Sequence, residues 1–573
     1  MANSLLYIAI DFGTSYSGYA FSFAKDVKDT VRVSLWTTEN GEKTSKTPTC
    51  ILFDEEKKFL KFGYEAMLTY TRSTTKTQAK KEFLFEHFKM VLYDKEVNRN
   101  LMITAKNGEQ MKAMTVFSES LQYLKDHALK RIEMNTSEKR FIASDITWIL
   151  TVPAIWHAAA KQFMREAAIE AGLVTESEPE RLIFALEPEA ASVYCMQLPK
   201  DGFIAEDFST DRLKQSPGTQ YMVVDCGGGT IDITVHEVVE EGHLKELHAA
   251  SGNDMGGQRV DGNVISFLKD IFSEKIFDEF EREHPTELLK LKCEIANLKS
   301  YDTDVTIWCP LNLKEIANKR HGKSMESYFK GVCGAKWEDG SIMIEEQQLR
   351  RFFDSSLRAI ETSIKHIVKN TQLNIEYMLL VGGYSQSPTL LQFMRKHFGS
   401  KHKILCPDAP QVAILKGAIA YGKKPTVVKS RICTLTYGFD TCTPFNESIH
   451  KGKSKYVNSL GKEYCDVIFE KLISKGESVL CNELKVFTRW PVKPKQTSMK
   501  FGFYSTTRQN VMYVDEWGVE CIGSLMVGMP NTDKDMSREV RLEVQFGSTE
   551  MKATASDMES AETKSVQFDF MSK

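Results

Sequence analysis

No two of the twelve cysteines have Cys-x-x-Cys spacing; they are scattered singly from Cys50 to Cys521. That excludes a zinc ribbon and a thioredoxin-like redox site, and favours buried or free thiols in a reducing compartment, so a cytoplasmic location is expected. No stretch approaches the roughly 18 uninterrupted apolar residues of a membrane span. The apolar run Leu5 to Ile10 lacks a basic lead-in and is cut by Asp11, so no secretory signal is expected there. No basic surplus marks a nucleic-acid surface, because the formal net charge is −3 over 573 residues. No Pro-, Ser- or Gln-rich tract points to disorder, and 42% hydrophobic with 26% charged residues is ordinary soluble composition. Length suggests roughly three or four compact units.

What is present begins with "YIAIDFGTSYSGYAF" (Tyr7 to Phe21), an apolar run that meets Asp11 and turns through Gly-Thr-Ser. Asp11-Phe12-Gly13 spells the magnesium-binding triplet of protein kinases. That triplet works downstream of a nucleotide lid and a His-Arg-Asp loop; only ten residues precede Asp11, so other chemistry is expected of it. From Tyr221, "YMVVDCGGGTIDITVHEV" repeats the pattern: an apolar run, Asp225, a Gly-rich turn, then Ile231, Ile233 and Val235 on one face. Each segment reads as strand, tight turn and returning strand. A dinucleotide fingerprint needs a helix after the turn and a third Gly where Asp232 stands, and the nearest P-loop string, "ANKRHGKS", has Ala317 in place of its first Gly. Both are excluded.

Two Asp-x-Gly hairpins can grip a polyphosphate from two sides. Gly13, Gly227, Gly228 and Gly229 let the backbone approach an anion, and the hydroxyls of Thr14, Ser15 and Thr230 can donate to it. Asp11, Asp225 and Asp232 sit at strand ends, where carboxylates can hold a hydrated Mg2+ beside the phosphates. One such hairpin is ordinary turn chemistry; two suggest a duplicated domain pair facing a cleft. A third element, "MLLVGGYSQSPTLLQFMRKHFG", reads as a strand through Val381, then Gly382-Gly383, then a helix with Ser387 as N-cap, Pro388 at its first position and Gly399 as C-terminal cap. It suits a ribose or α-phosphate, or is a plain strand-to-helix crossing.

Order and spacing of these segments resemble the actin-like ATPase superfamily. Within it, "TWILTVPAIW", "HAAAKQFMREAAIEAGL", "RLIFALEPEAASVY", "SGNDMGGQRVD" and "CPDAPQVAILKGAIAYG" are similar, in order, to the seventy-kilodalton heat-shock protein family. "FKMVLYD", "YGFDTCTPF" and "LEVQFGSTEMKATA" resemble its divergent type-twelve branch more closely still. The resemblance implies an α/β fold, a bilobal actin-like ATPase of duplicated ribonuclease-H-like lobes followed by a β-rich C-terminal domain without a helical lid. Residues 1–425 would form the nucleotide-binding domain, its lobes meeting at 205/206, and residues 426–573 the β-rich domain.

It also implies ATP or ADP with Mg2+, and a weak Mg-dependent ATPase. Asp11 and Asp225 would hold the metal and its waters, while Gly13, Thr14, Ser15, Gly227, Gly228, Gly229 and Thr230 would bind phosphates. Lys89, in "FEHFKM", would reach the γ-phosphate, Glu187, in "LEPEAA", would orient waters, and Asp232 would complete the acidic cluster. The nucleoside would lie against Gly382, Gly383 and Tyr384 with Glu294 nearby, and Gly256-Gly257 would close the opposite rim. On the residues alone, Lys89 also reads as the solvated edge of an amphipathic helix. Glu187 equally reads as a carboxylate opening a helix before Pro188, with Glu189 as the alternative, and Glu294 as part of a solvated helix face.

The chain departs from the family at the base site. Tyr384 and Gln386 stand where the chaperones carry a small residue and an Arg, and Asn297-Leu298 replace a basic pair, with Lys299 one step late. This predicts altered nucleotide affinity. The junction "KKPTVVKSR" is basic rather than acidic, and beyond it "KVFTRW", "SMKFGFYS", "REVRLEVQF" and "SVQFDF" read as strands, with Val540, Leu542, Val544 and Phe546 on one buried face. No helical lid and no acidic tail after "FDFMSK" are expected. Three functions fit: a slowly hydrolysing ATP-binding chaperone-like protein whose C-terminal domain contacts polypeptide clients, a nucleotide-gated scaffold or signalling adaptor, and a small-molecule kinase. Neither nucleic acid nor a membrane span is expected.

Overall fold

The computed structural model describes every residue except 1–3, 26–29, 39–40, 73–80, 94–95, 137–140, 205–210, 371, 459, 482, 547–550, 562, 568–570 and 572–573. The first Asp-x-Gly segment forms β1 (Leu6–Phe12) and β2 (Tyr16–Phe23), antiparallel, with Asp11 opposite Gly18. β3 (Ile146–Val152) lies parallel to β1, and β4 (Leu182–Leu186) parallel to β3. The second segment forms β5 (Gln220–Cys226) and β6 (Ile231–Val238), antiparallel, with Asp225 opposite Asp232. Here β7 (Ile375–Val381) runs parallel to β5, and β8 (Lys403–Leu405) parallel to β7. Each hairpin thus has two parallel strands added on the same side, which is the duplication that the two matching strings lead one to expect. β1, β3 and β5 are apolar on both faces because helices cover the sheets, as parallel strands require.

Helices α1 (Glu187–Gln197), α2 (Gly257–Phe272), α3 (Glu346–Val368), α4 (Pro388–Phe398) and α5 (Pro410–Lys423) bear on the site. The apolar, alanine-rich α5 packs on β1, β2 and β3 of one sheet, on β7 of the other, and on α1. Sharing one helix welds both sheets into a single compact unit of residues 1–238 and 250–425. Residues 239–249 and 426–573 form a second. Two units therefore stand where length suggested more. The expected lobe boundary at 205/206 falls within 205–210, outside the described residues.

Two antiparallel sheets carry the core of the second unit. β9 (Thr436–Pro444), β10 (Glu463–Ile473), β12 (Ser498–Thr506) and β13 (Val519–Gly528) lie in one sheet in the order β10-β9-β12-β13. The other runs β11-β14-β15-β16, from Glu483–Arg489, Val540–Phe546, Lys552–Asp557 and Thr563–Gln567. Val540, Leu542, Val544 and Phe546 share one core with Phe439, Phe501, Phe503 and Val527. Phe568 to Phe570 of the "SVQFDF" string lie outside the described residues. Among the described residues after Val427, helical structure is limited to the short turn Asp535–Ser537, and no helix anywhere is long and apolar enough to cross a membrane.

Candidate functional site

Four carboxylates from separate elements are buried near the two hairpins: Asp11, Asp225 and Asp232 at strand ends, and Glu187 at the first position of α1. Lys89 lies in the 3-10 turn Phe88–Leu92 and donates to Glu187 Oε1 at 2.9 Å, with the Trp156 ring 5.0 Å from its ammonium. It is not a solvated helix edge. Phe88 packs on Phe12 and Phe117, which draws the turn into the core and carries Lys89 inward with it. Glu187 opens the helix and also faces inward; it, rather than Glu189, meets Lys89.

Asp11 accepts from the Lys46 ammonium at 2.5 Å and from the Thr151 hydroxyl at 3.3 Å. Asp232 accepts from the Ile155 amide at 3.2 Å and the Thr230 hydroxyl at 3.1 Å. Asp225 Oδ1 is buried with no hydrogen-bond partner among the described residues. Burial, then the charges of Glu187, Asp232 and Asp11, hold the Asp225 carboxyl well above the usual carboxylate range. Burial also raises Glu187 against the pull of Lys89. Asp232 is pushed up to about 7, mainly by burial and then by Glu187. The cluster is short of positive charge, and the unpartnered Asp225 oxygen fits a cation. An all-oxygen donor set suits a hard ion such as Mg2+. Among the described residues no three His, Cys, Asp or Glu side chains form a cage by themselves, so such an ion would draw ligands from water and phosphate.

The hairpin turns face one another. A Cβ at Gly228 would strike Ser15, and one at Gly229 would strike Thr14 and Met90. Gly256 and Gly257 pack against the turn of the second hairpin. Their amides donate to the carbonyls of Gly229 at 3.2 Å and Gly227 at 3.0 Å, and the Gln258 amide donates to that of Gly228 at 2.8 Å. The first amides of α2 lack intrahelical acceptors, and the glycine turn supplies them. Gln258 also donates to Ser15 Oγ at 2.9 Å, tying α2 to the first hairpin.

The third element has its expected strand, glycine pair and helix, with a turn added between them. Gly382 has φ +86°, and a 3-10 turn, Gly383–Gln386, intervenes before α4. Ser387 and Pro388 take the N-cap and first positions without a side-chain capping bond, and Gly399 follows the helix in a right-handed rather than left-handed conformation. Tyr384 is 4% exposed, stacked on Phe353 at 6.1 Å and set against Gly257. The ring is packed into the protein, and the 3-10 turn directs it between Gly257 of α2 and Phe353 of α3. Glu294 is half-buried and accepts the Trp308 amide at 3.0 Å, which is not the role of a solvated helix face. Lys299 pairs with Asp261 of α2, its stem along Gly257.

Sequence reasoning missed Lys46, Thr151 and Trp156. The last two lie in "TWILTVPAIW", where a strand ending next to β1 could have suggested them. Lys46, in "TSKTP", had no local signal.

A family model described as Hsp70 protein matches residues 7–453. The chain is 33% identical to Heat shock 70 kDa protein 12A of Mus musculus, over 99% of this chain and 92% of that protein. It is 31% identical to Heat shock 70 kDa protein 12B of Homo sapiens, over 99% and 91%. Chaperone protein DnaK of Mycoplasmopsis synoviae is 22% identical over 80% of this chain and 71% of its own length.

Proposed function

Because the chain belongs to the Hsp70 family, we propose that its first unit binds Mg-ATP and Mg-ADP between the two glycine hairpins and hydrolyses ATP slowly, and that its second unit contacts polypeptides. The single observation that carries this reading is the buried Lys89–Glu187 pair set among Asp11, Asp225 and Asp232. Phosphoryl transfer to water needs little covalent help from a protein; positioning and charge neutralisation supply most of the acceleration.

Thr14, Ser15 and Thr230 would donate to phosphate oxygens from turns whose glycines permit close approach. Lys89 would meet the terminal phosphate with its ammonium, steadied by Trp156. Glu187, a carboxylate held above its ordinary range by burial, would accept a hydrogen bond from the attacking water. Asp225, whose Oδ1 has no partner among the described residues, would hold Mg2+ through waters, with a lesser share from Asp11, which Lys46 already pairs. When bound, that ion supplies charge neutralisation at the phosphates. The free thiols support a cytoplasmic location.

The test is ATP affinity by calorimetry and single-turnover hydrolysis for the wild type, Asp225→Ala and Glu187→Gln. Asp225→Ala should lose affinity, whereas Glu187→Gln should bind and fail to turn over. Absence of ATP binding by the wild type sinks the proposal. A second reading, a nucleotide-gated scaffold with negligible turnover, draws support from Lys46 already neutralising Asp11. Equal single-turnover rates in the wild type and Glu187→Gln would favour it. Polypeptide contact is tested by fluorescent-peptide binding to the full chain; peptide affinity unmoved by ATP would count against chaperone action.

A further inference from the structure

Asp11 and Asp225 end equivalent strands of the two hairpins, but their cross-strand neighbours differ. Opposite Asp225 stands another carboxylate, Asp232; opposite Asp11 stands Gly18. The missing side chain at Gly18 is what admits Lys46. A Cβ at Gly18 would lie 2.9 Å from the Ser45 carbonyl oxygen and 3.0 Å from Lys46 Cγ, so only glycine lets this segment cross β2 so closely. The Lys46 stem crosses β2 there, and its ammonium lands 2.5 Å from Asp11 Oδ2, with side-chain exposures of 14% for the lysine and 3% for the aspartate. The segment itself is fixed: the Thr44 hydroxyl donates to the Lys46 carbonyl at 2.8 Å, and Thr47 follows in the strand Thr47–Pro48, paired to β2.

We infer that Lys46 is a resident cation of the phosphate site, taking over part of the work of a divalent metal so that this chain binds nucleotide with little dependence on Mg2+. The inference rests on the nucleotide reading above. An ammonium has three donors on a flexible stem, so Lys46 can keep Asp11 and still donate to a phosphate oxygen entering the cleft. With Lys89 on Glu187, two ammoniums already answer two of the four carboxylates. A dication approaching Asp11 must displace a charge-assisted hydrogen bond and sit beside a like charge in a site screened from water. Metal binding is thereby weakened while anion binding is kept.

The experiment is calorimetric titration of the full chain with ADP, in saturating MgCl2 and in EDTA, for the wild type, Lys46→Gln and Lys46→Thr. Removing Mg2+ should cost the wild type less than about tenfold in affinity, and should cost both variants about ten- to a hundredfold more, the value of hydrogen bonds to a charged group. Manganese titration of the ADP-bound proteins, followed by electron paramagnetic resonance, should show tighter Mn2+ in the variants because Asp11 is released. A wild type that binds ADP only with Mg2+ overturns the inference without any variant. So does an equal metal dependence in all three proteins, or an unchanged Mn2+ affinity; in those cases nucleotide binding itself still stands. Failure of all three to bind ADP under either condition overturns the nucleotide reading, and this inference with it.

Discussion

Lys89 and Glu187, 98 positions apart in sequence, form an ion pair of 2.9 Å whose side chains are 3% and 10% exposed. Breaking such a pair from one side leaves a charge stranded in the core, at a cost of about 3–5 kcal/mol, whereas replacing both partners costs much less. Lys89→Met should lower the melting temperature of the unliganded protein more than Glu187→Gln, which also relieves Asp225 and Asp232, and the double variant should recover part of the Lys89→Met loss. The check is a double-mutant cycle. Strictly additive losses would mean that the two groups do not depend on each other.

Gly382 and Gly383 make an internally controlled pair. Gly382 holds φ +86°, and a Cβ there would strike Asp225 Oδ1 and the Cys226 carbonyl; a Cβ at Gly383 meets nothing within 4 Å. Gly382→Ala should therefore destabilise by more than about 1 kcal/mol and weaken ADP binding by displacing Asp225. Gly383→Ala should leave the melting temperature of the unliganded protein within experimental error. Thermal melts of the two variants and ADP titration of Gly382→Ala decide it, and equal melting temperatures would show that Asp225 is not positioned by this backbone.

The hairpins were legible because their signals are local: an apolar run, an Asp, glycines, then alternation. The second unit's buried face was legible for the same reason, since Val540, Leu542, Val544 and Phe546 alternate within seven residues. What escaped was set by distant residues. The string around Lys89 is equally good as a surface helix or a core turn, and Phe12 and Phe117 decide between them. Tyr384 turns inward because Phe353 and Gly257 provide its seat. Gly256 and Gly257 support the second hairpin because the opening amides of a helix needed acceptors. Lys46 is 35 positions from Asp11, and the residue that admits it is a glycine in a different strand.

In the second unit, Arg538 is fully buried, and its guanidinium donates to four backbone carbonyls: Asp535 at 2.7 Å, Met529 at 3.1 Å, Asn531 at 2.9 Å and Gln496 at 2.6 Å. A flat fork of donors spans these loops; a lysine ammonium, with its donors at one point, cannot. Arg538→Lys should cost about 2 kcal/mol or more through carbonyls left without donors. Arg541→Lys, at a side chain 46% exposed, should stay within about 0.5 kcal/mol. Thermal melts and limited proteolysis of the full chain would show it, and equal tolerance of both changes would sink the claim.

The Asp232 carboxyl titrates near 7 in the folded protein against an ordinary value of 3.8, chiefly through burial and then through Glu187. Folding therefore takes up a proton between these values. The group's effect on stability is absent below about 4, grows more unfavourable as pH rises towards about 7, and is constant above that. Asp232→Asn keeps the shape and removes the charge, and it also relieves Asp225, whose carboxyl the Asp232 charge helps to raise. The melting temperature of unliganded Asp232→Asn should exceed the wild-type value by a margin that widens with pH up to about 7 and then levels off. Scanning calorimetry across that interval measures the margin. A margin independent of pH would mean that Asp232 is ionised throughout, so that the cluster tolerates its charges without a bound cation.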